Sequence, residues 1–317
     1  MIEPAEKQPE AEVEPKQRNP LAAFLVRLVR EKPLGTAGGI IVLVMVLAAV
    51  FADLIAPYPY TEIHLADALL PPGGKYLLGT DQLGRDLFSR IIHGARLSLY
   101  VGLGASVINV IIASLVGIPS GFLGGKFDLV VQRLVDGLIS IPGFILLITI
   151  MSLTGRGRVQ VIVVMGVIGS FGLIRLIRSA AIAIRENVYF EAGRAIGAST
   201  GRLIWRHALP NVMPILIIAF SIGVAGNILA EASLSFLGLG IPPPFPSWGG
   251  MLSYEGRRYM YEAPWLAIWP GIALTTAVYG INVFGDAVRD LIDPRLRGGA
   301  GRFIRTRKKS KESENQG

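Results

Sequence analysis

The sequence predicts an all-α integral membrane protein with six transmembrane helices. Of its 317 residues, 51% are hydrophobic and only 17% are charged, and the mean hydropathy is +0.52, unlike a soluble domain of ordinary composition. A helix needs roughly 20 apolar residues to cross about 30 Å of hydrocarbon. Six charge-free runs approach that length, at 33–52, 97–125, 137–155, 159–174, 208–230 and 263–285.

Two details predict how these helices end and pack. The fourth run is short, so we expect its helix to extend past Arg175 and Arg178, with both side chains reaching toward one membrane interface. In the second run, Gly117, Gly121 and Gly125 recur every four residues. This small-residue face predicts close contact with a neighbouring helix.

The distribution of basic residues predicts the orientation. With the N-terminus in the cytoplasm, segments 1–35, 121–134, 175–212 and 289–317 lie inside and carry 23 Lys and Arg, against 8 outside. Because basic residues in short flanking loops favour the cytoplasmic side, both termini are predicted to be cytoplasmic.

The chain is thereby divided into five parts. Residues 1–32 are Pro-rich and acidic, which predicts a largely disordered cytoplasmic tail, and 33–56 form the first span. Segment 57–96 is an external loop with an interfacial elbow helix, and 97–290 form a core of five helices. The basic tail 291–317 is expected to contact membrane lipid.

Several classes of function are excluded. There is no Cys, and His64, His93 and His207 share no metal-ligand spacing. The segment at 120–127 lacks the first Gly and the final hydroxyl of a phosphate-binding loop. A G-x-S-x-G match at 197–201 lacks the strand and the acid that a nucleophile elbow requires. Basic residues flank apolar runs instead of forming a stripe, which argues against nucleic-acid binding. The chain is therefore not expected to be an enzyme or to bind a cofactor.

The segment 187–210 between the fourth and fifth runs is rich in small and basic residues. Asn187 is placed to cap a short helix that ends at Gly197, and Ser199 to cap a second one, with Pro210 marking entry to the fifth span. Its small side chains would let another protein approach the backbone. A solvated amphipathic linker is the alternative.

This segment resembles the coupling loop of ABC importer membrane subunits. Glu191, Ala192, Gly197, Leu209 and Pro210 match that signature, whereas two positions depart from it, with Gly in place of Ala at 193 and His in place of Ile at 207. The stretches at 78–103, 231–252 and 285–298 are also similar to the permeases of dipeptide and oligopeptide importers, and to their C-type subunit in particular.

The resemblance implies a type I permease fold in the inner membrane of a prokaryote. It also implies a heterodimer with a second permease subunit, two ATPase subunits or domains that hold ATP and Mg, and an external substrate-binding protein. The expected cargo is a peptide, although relatives of this kind also transport nickel complexes or oligosaccharides. The expected ATPase-coupling residues are Glu191, Ala192, Gly193, Gly197, Arg202, Arg206, Leu209 and Pro210.

An ion-gradient-driven secondary transporter or channel subunit is the alternative, since ionisable residues inside spans are functional candidates. Glu231 is the main one. It would line the translocation path or, more simply, brace the loop that follows. Asn227 is a candidate for the path or for an interhelical hydrogen bond. Trp248, in a Pro- and Gly-rich external loop, would belong to an aromatic belt or to the outer gate.

Overall fold

The computed structural model describes residues 20–292, which form helices and no strand. Short 3₁₀ and π turns lie at Leu65–Asp67, Ile204–Ala208 and Met251–Glu255. The helices are α1 Pro20–Glu31, α2 Pro33–Val50, α3 Ala52–Ile55, α4 Leu87–Leu123, α5 Gly125–Ile139, α6 Gly143–Thr154, α7 Arg158–Arg185, α8 Val188–Ala195, α9 Thr200–Leu203, α10 Leu209–Phe236, α11 Trp248–Gly250, α12 Gly256–Arg258 and α13 Trp265–Ile292.

Five helices are long and apolar enough to cross a membrane: α2, α4, α7, α13 and the continuous helix Thr200–Phe236. The predicted third span, 137–155, is not one straight helix, because α5 and α6 meet at 84°. Pro142, just before α6, lacks the backbone N–H of a helix interior and disfavours helical geometry in the residue before it. The described residues therefore hold five such helices, or six spans if this bent pair crosses the membrane as one unit.

The spans give the bundle two ends. The proximal end holds residues 188–208, and the distal end holds residues 52–86 and 237–264. A separate elbow helix within 57–96 was predicted at the distal end, and this prediction is wrong. No helix breaker separates 87–96 from the second span, so both belong to α4, whose N-terminus is capped by the Asp86 carboxylate accepting from the Ser89 N–H at 2.8 Å.

Helices α4 and α7 pack along each other, and two of the three repeated glycines explain why. A Cβ added at Gly117 would lie 2.8 Å from the Ile174 carbonyl oxygen, and one at Gly121 would lie 2.4 Å from that of Arg178. Any larger residue would force the helices apart, as the small-residue pattern predicts. Gly125 has no such neighbour and begins α5 with a positive φ.

Arg175 and Arg178 lie on α7, which extends to Arg185 as predicted. They pair with carboxylates of α5 instead of only reaching toward the membrane interface. Arg178 Nε and Nη2 each lie 2.5 Å from an oxygen of Asp128, and Arg175 pairs with Asp136. The first pair is the more buried of the two. Charged side chains therefore attach α5 to the bundle at its proximal end.

The N-terminal segment departs from its prediction. Within 1–32, predicted to be largely disordered, residues 20–31 form α1, where Leu28 is buried beside Ala287 and Leu291 of α13. Lys32 Nζ lies 2.5 Å from a carboxylate oxygen of Asp290 on the same helix. Amphipathic spacing thus outweighed polar composition here. Residues 1–19 and 293–317 lie outside the described range, so the acidic and basic tails stay predictions.

Candidate functional site

The candidate site is the proximal loop, which we define as residues 188–208. Its first helix, α8, follows Asn187 as predicted, but the Asn187 side chain donates to the Ile184 carbonyl and does not cap α8. The chain leaves α8 at Gly197, whose φ of 79° is accessible to glycine at little cost. The Gly197 N–H donates to Arg194, and that of Ala198 donates to Gly193. A fixed turn therefore ends the helix.

The second half of the loop is continuous with the fifth span. Ser199 caps α9 as predicted, its hydroxyl accepting from the Arg202 N–H at 3.4 Å. The helix does not end before Pro210. It runs through a π turn at Ile204–Ala208 into α10, and this local change of hydrogen bonding lies where Pro210 supplies no N–H. The predicted second short helix is therefore the first part of a helix that reaches Phe236.

Phe190 anchors the loop, and the sequence analysis did not identify it. Its side chain is 0% exposed and packs with Leu203 and Ile204. Its ring meets that of Phe122, at the end of α4, with centroids 5.4 Å apart, and lies edge-on to His207. The sequence offered no specific signal, because Tyr189 is an equally large aromatic residue beside it.

Gly193 explains one departure from the coupling-loop signature. A Cβ at this position would lie 2.9 Å from the end of the Leu203 side chain, so the alanine of the signature would require that side chain to move. Glycine lets the two halves of the loop close on each other. The loop is therefore compact, with its backbone path set by Gly193 and Gly197.

The outward surface of the loop carries most of the predicted coupling residues. Gly193 and Leu209 are half-buried, while the others are exposed, namely Glu191, Ala192, Gly197, Arg202, Arg206 and Pro210. Two apolar side chains that were not predicted join them, with Val188 78% and Ile196 86% exposed, and Trp205 is 46% exposed. We call this exposed set the docking patch. Large apolar side chains clustered on a surface indicate a contact site.

The loop is tied to three helices beneath it. Arg194 stacks over the Phe122 ring at 5.5 Å, and the Arg185 guanidinium donates to the Phe122 carbonyl at 3.2 Å. Near this point, the Ser120 hydroxyl donates to the same Asp128 carboxylate that binds α7. The loop thus contacts the end of α4 directly, and that end of α4 is in turn joined to α5 and α7.

The two distal candidates, Glu231 and Trp248, belong to a buried network. Glu231 is 1% exposed, and its Oε1 accepts from the hydroxyls of Ser235 at 2.6 Å and Ser247 at 2.8 Å. Trp248 is 3% exposed and donates to the Ile91 carbonyl at 3.0 Å. An aromatic-belt position for Trp248 is therefore wrong, because the ring is enclosed by protein.

The loop at 52–86 is also fixed by polar contacts. Asp81 is fully buried and accepts from the Leu83 and Arg85 N–H groups and from Arg85 Nε. Nearer the surface, hydrogen bonds from Lys75 and Tyr76 lower the pKa of Asp67 below its usual value. This part of the external loop is thus a structured element.

Asn227 lies between helices. Its amide nitrogen donates to the Ser106 hydroxyl of α4 at 2.9 Å, as expected for an interhelical hydrogen bond. Within residues 20–292, no group of three or more His, Asp or Glu side chains could hold a metal ion.

Two family models match the chain. The model of the binding-protein-dependent transport system inner membrane component matches residues 86–298. The model of the N-terminal transmembrane domain of oligopeptide transport permease C matches residues 20–72. Together these matches cover the proximal loop, the distal network and every helix that is long enough to cross a membrane.

Curated relatives are similar over almost the whole chain. The di/tripeptide transport system permease protein DppC of Pseudomonas aeruginosa is 38% identical over 89% of this chain and 94% of its own. The oligopeptide transport system permease protein OppC of Bacillus subtilis is 35% identical, over 84% and 88%. The glutathione transport system permease protein GsiD of Pectobacterium atrosepticum is 34% identical, over 88% and 93%.

Proposed function

The chain belongs to the family of binding-protein-dependent transport system inner membrane components, the permease subunits of ABC importers, and from that premise we propose that it imports peptides and is driven through its proximal loop. The docking patch would seat in a groove of a partner ATPase that holds ATP and Mg. Three relatives whose names specify oligopeptides, di- and tripeptides, or glutathione support peptide-like cargo.

The observation that carries the docking proposal is the contrast within α8. Phe190 is fully buried against α4, whereas Val188 and Ile196 on the same short segment are the most exposed apolar side chains of the loop. A surface helix that buried all its apolar residues would need no partner. Here the apolar surface is held in place by one anchor and presented outward, which suits a permanent protein contact.

The remaining assembly follows from the same family membership. A second permease subunit would pack along the exposed apolar faces of the long helices, and an external binding protein would deliver cargo at the distal end. The proximal end and both termini would face the cytoplasm, in line with the excess of Lys and Arg there.

The contacts support a rigid-body mechanism. Closure of the ATPase subunits on ATP would move α8, and the Phe190–Phe122 contact would pass this motion to the end of α4. The uninterrupted helix from Thr200 to Phe236 would carry it along the fifth span. Such motions of packed helices about an interface switch transporters between inward-open and outward-open states.

Of the three path candidates, the contacts favour Asn227. Glu231 and Trp248 are held in the distal network, where they brace the loop at 237–250, and neither lines the open grooves between the spans. Asn227 lines one of these grooves. We therefore propose that the translocation path passes Asn227 and that the distal pair supports the outer mouth.

Affinity purification of the tagged protein from native membranes, with Glu191→Arg and Gly197→Trp variants, tests the docking proposal. The wild type should retain an ATPase and a second permease, and both variants should lose the ATPase while keeping the permease. Glu186→Arg is the matched control, since it makes the same charge reversal at an exposed position just before the loop.

Peptide-dependent ATP hydrolysis in the reconstituted assembly gives the second readout. Both loop variants should uncouple hydrolysis from uptake. Retention of the ATPase and normal uptake by both variants would refute the docking proposal. If the wild type retained no ATPase under conditions that preserve other membrane complexes, the gradient-driven transporter would become the better hypothesis.

A further inference from the structure

Two neighbouring grooves open between the spans at the middle of the bundle. One, of about 240 Å³, lies between α6, α7 and α10, and the other, of about 320 Å³, lies between α4, α7 and α10. Gly169 of α7 lines both. The grooves are thus two parts of one surface, which we call the midspan surface.

The midspan surface is uncharged. Its lining is otherwise aliphatic or aromatic, and its hydrogen-bonding side chains are Ser106, Asn109 and Asn227. Ser106 and Asn109 are three residues apart on α4 and so share a helix face, and Asn227 joins them through its bond to Ser106. A charged group has no counterion among these lining residues, whereas a neutral polar group finds hydrogen-bond partners.

The two amides have unused hydrogen-bonding capacity. The amide nitrogen of Asn227 donates one hydrogen bond, to Ser106, and its carbonyl oxygen accepts none from the residues at 20–292. Asn109, in the orientation that satisfies its amide, donates through nitrogen to the carbonyls of Gly166 and Ala105. Asn227 can therefore still donate one hydrogen bond through its N–H and accept through its carbonyl oxygen, and Asn109 can accept through its carbonyl oxygen.

We propose that the midspan surface binds the main-chain amide of a peptide in transit, with Asn227 as the principal contact and Asn109 as the second. The inference rests on the peptide-import function proposed above. A free N–H beside a free carbonyl on one carboxamide is complementary to a peptide bond, which offers the same pair in reverse. Because every peptide carries this group, such a contact would accept peptides of different side chains.

Gly169 leaves the space in which the Asn109 amide is held. A Cβ there would lie 2.8 Å from the amide atoms of Asn109, so any side chain would displace that amide. Gly223, on the facing side of the same groove, would place a Cβ 3.4 Å from the Ser106 hydroxyl. Glycine at these positions keeps the polar atoms within reach of a molecule in the groove.

The test compares uptake of trialanine with that of trialanine methylated on its central amide nitrogen, in vesicles holding the full transporter and its binding protein. Asn227→Leu, Asn109→Leu and Gly169→Ala are compared with wild type. Asn282→Leu is the matched control, because Asn282 is exposed on α13 and lines neither groove. The affinity of the binding protein for each peptide is the same in all variants, so it cancels from the comparison.

Wild type should prefer trialanine over its methylated form, and Asn227→Leu should reduce that preference by about two- to tenfold, the worth of one net hydrogen bond. The control should keep the wild-type preference. If Asn227→Leu fails to assemble, Asn227→Ala, which adds no volume, takes its place. Equal loss of both peptides in every assembled groove variant would overturn the proposal and leave these side chains a packing role.

A different result would refute the proposed peptide-import function. If assembled wild type took up neither peptide, while the ATPase and the second permease still co-purified, peptide cargo itself would be refuted. A wild type that transported both peptides at equal rates, given equal binding-protein affinity, would refute only the midspan contact.

Discussion

The two ends of the bundle are built in opposite ways. At the distal end, Trp248, Glu231 and Asp81 are enclosed, and each donates or accepts a hydrogen bond. At the proximal end, one buried ring, Phe190, holds a loop whose other large apolar side chains include the exposed Val188 and Ile196. These three distal side chains are therefore enclosed by the chain itself, whereas Val188 and Ile196 of the proximal loop are uncovered.

This contrast predicts which substitutions should affect stability and which should affect coupling. Removal of an enclosed side chain leaves a cavity and unpaired polar groups, so distal substitutions should lower the free energy of unfolding. Removal of an exposed side chain leaves the chain itself almost unchanged. Proximal substitutions should therefore act on the partner contact and leave the isolated subunit folded.

The largest expected effect on stability comes from a Trp-to-Ala substitution, which is compared at the distal and the proximal end. Trp248→Ala should destabilise the protein by about 3–5 kcal/mol, because it empties an enclosed site and removes the hydrogen bond to the Ile91 carbonyl. Trp205→Ala, at a half-exposed position in the proximal loop, should cost about 1 kcal/mol or less. Thermal unfolding in mild detergent measures both. Equal losses of stability would abolish the distinction between the ends.

Phe190→Ala should have the next largest effect on stability. Phe190 is an exception among the proximal substitutions, because its side chain is buried. The substitution removes the buried anchor of an otherwise exposed loop, at a cost of about 3 kcal/mol, and this cost should be local. Hydrogen exchange should accelerate in α8 and remain slow in α4 and α10, and ATPase retention should fall. Val188→Ala is the control for hydrogen exchange, since its side chain is already exposed and its removal should leave α8 folded. Faster exchange throughout the bundle would mean that Phe190 supports the whole fold.

Local rules predicted much of the fold. Charge-free length predicted five of the long helices, and the four-residue glycine spacing predicted the α4–α7 contact at Gly117 and Gly121. Ser199 and Gly197 were identified as helix boundaries from cap chemistry alone. These features depend on residues close in sequence, so a single chain contains the whole signal.

Features that depend on tertiary contacts were missed. Phe190 and Trp248 look like any aromatic residue until their neighbours, Phe122 and Ile91, are known to lie beside them. The bend before α6 was missed for a different reason, because charge-free length alone does not account for Pro142. Burial is decided between segments far apart in sequence, so hydropathy alone does not assign it.

A smaller effect is expected from the ion pairs that attach α5. Arg178→Leu should destabilise the protein by about 2 kcal/mol, because Asp128 is mostly buried and would lose its charged partner. Arg175→Leu removes the more exposed pair with Asp136 and should cost under about 1 kcal/mol. Thermal unfolding compares the two. If both variants lose the same stability, burial does not determine the strength of these ion pairs, and other contacts attach α5 at the proximal end.

A small effect is expected for Glu231→Gln, and comparison with Glu231→Leu separates a bracing role from a transport role. An amide oxygen can accept from the Ser235 and Ser247 hydroxyls as the carboxyl oxygen does, so Glu231→Gln should cost about 1 kcal/mol or less and leave uptake unchanged. Glu231→Leu has no acceptor and should cost about 2 kcal/mol more than Gln. Unfolding and peptide uptake are measured on the same preparations.

The relative stability and uptake of these two variants distinguish a bracing carboxyl from one that takes part in transport. A bracing carboxyl needs only its acceptor oxygen, so stability should follow the sequence wild type, Gln, Leu, and uptake should fall only where the protein unfolds. A carboxyl that carries a proton through the membrane needs its acidity, which Gln lacks. Loss of uptake in a stable Glu231→Gln protein would therefore make the distal end part of the transport chemistry, and would favour a gradient-driven mechanism over one driven from the proximal loop.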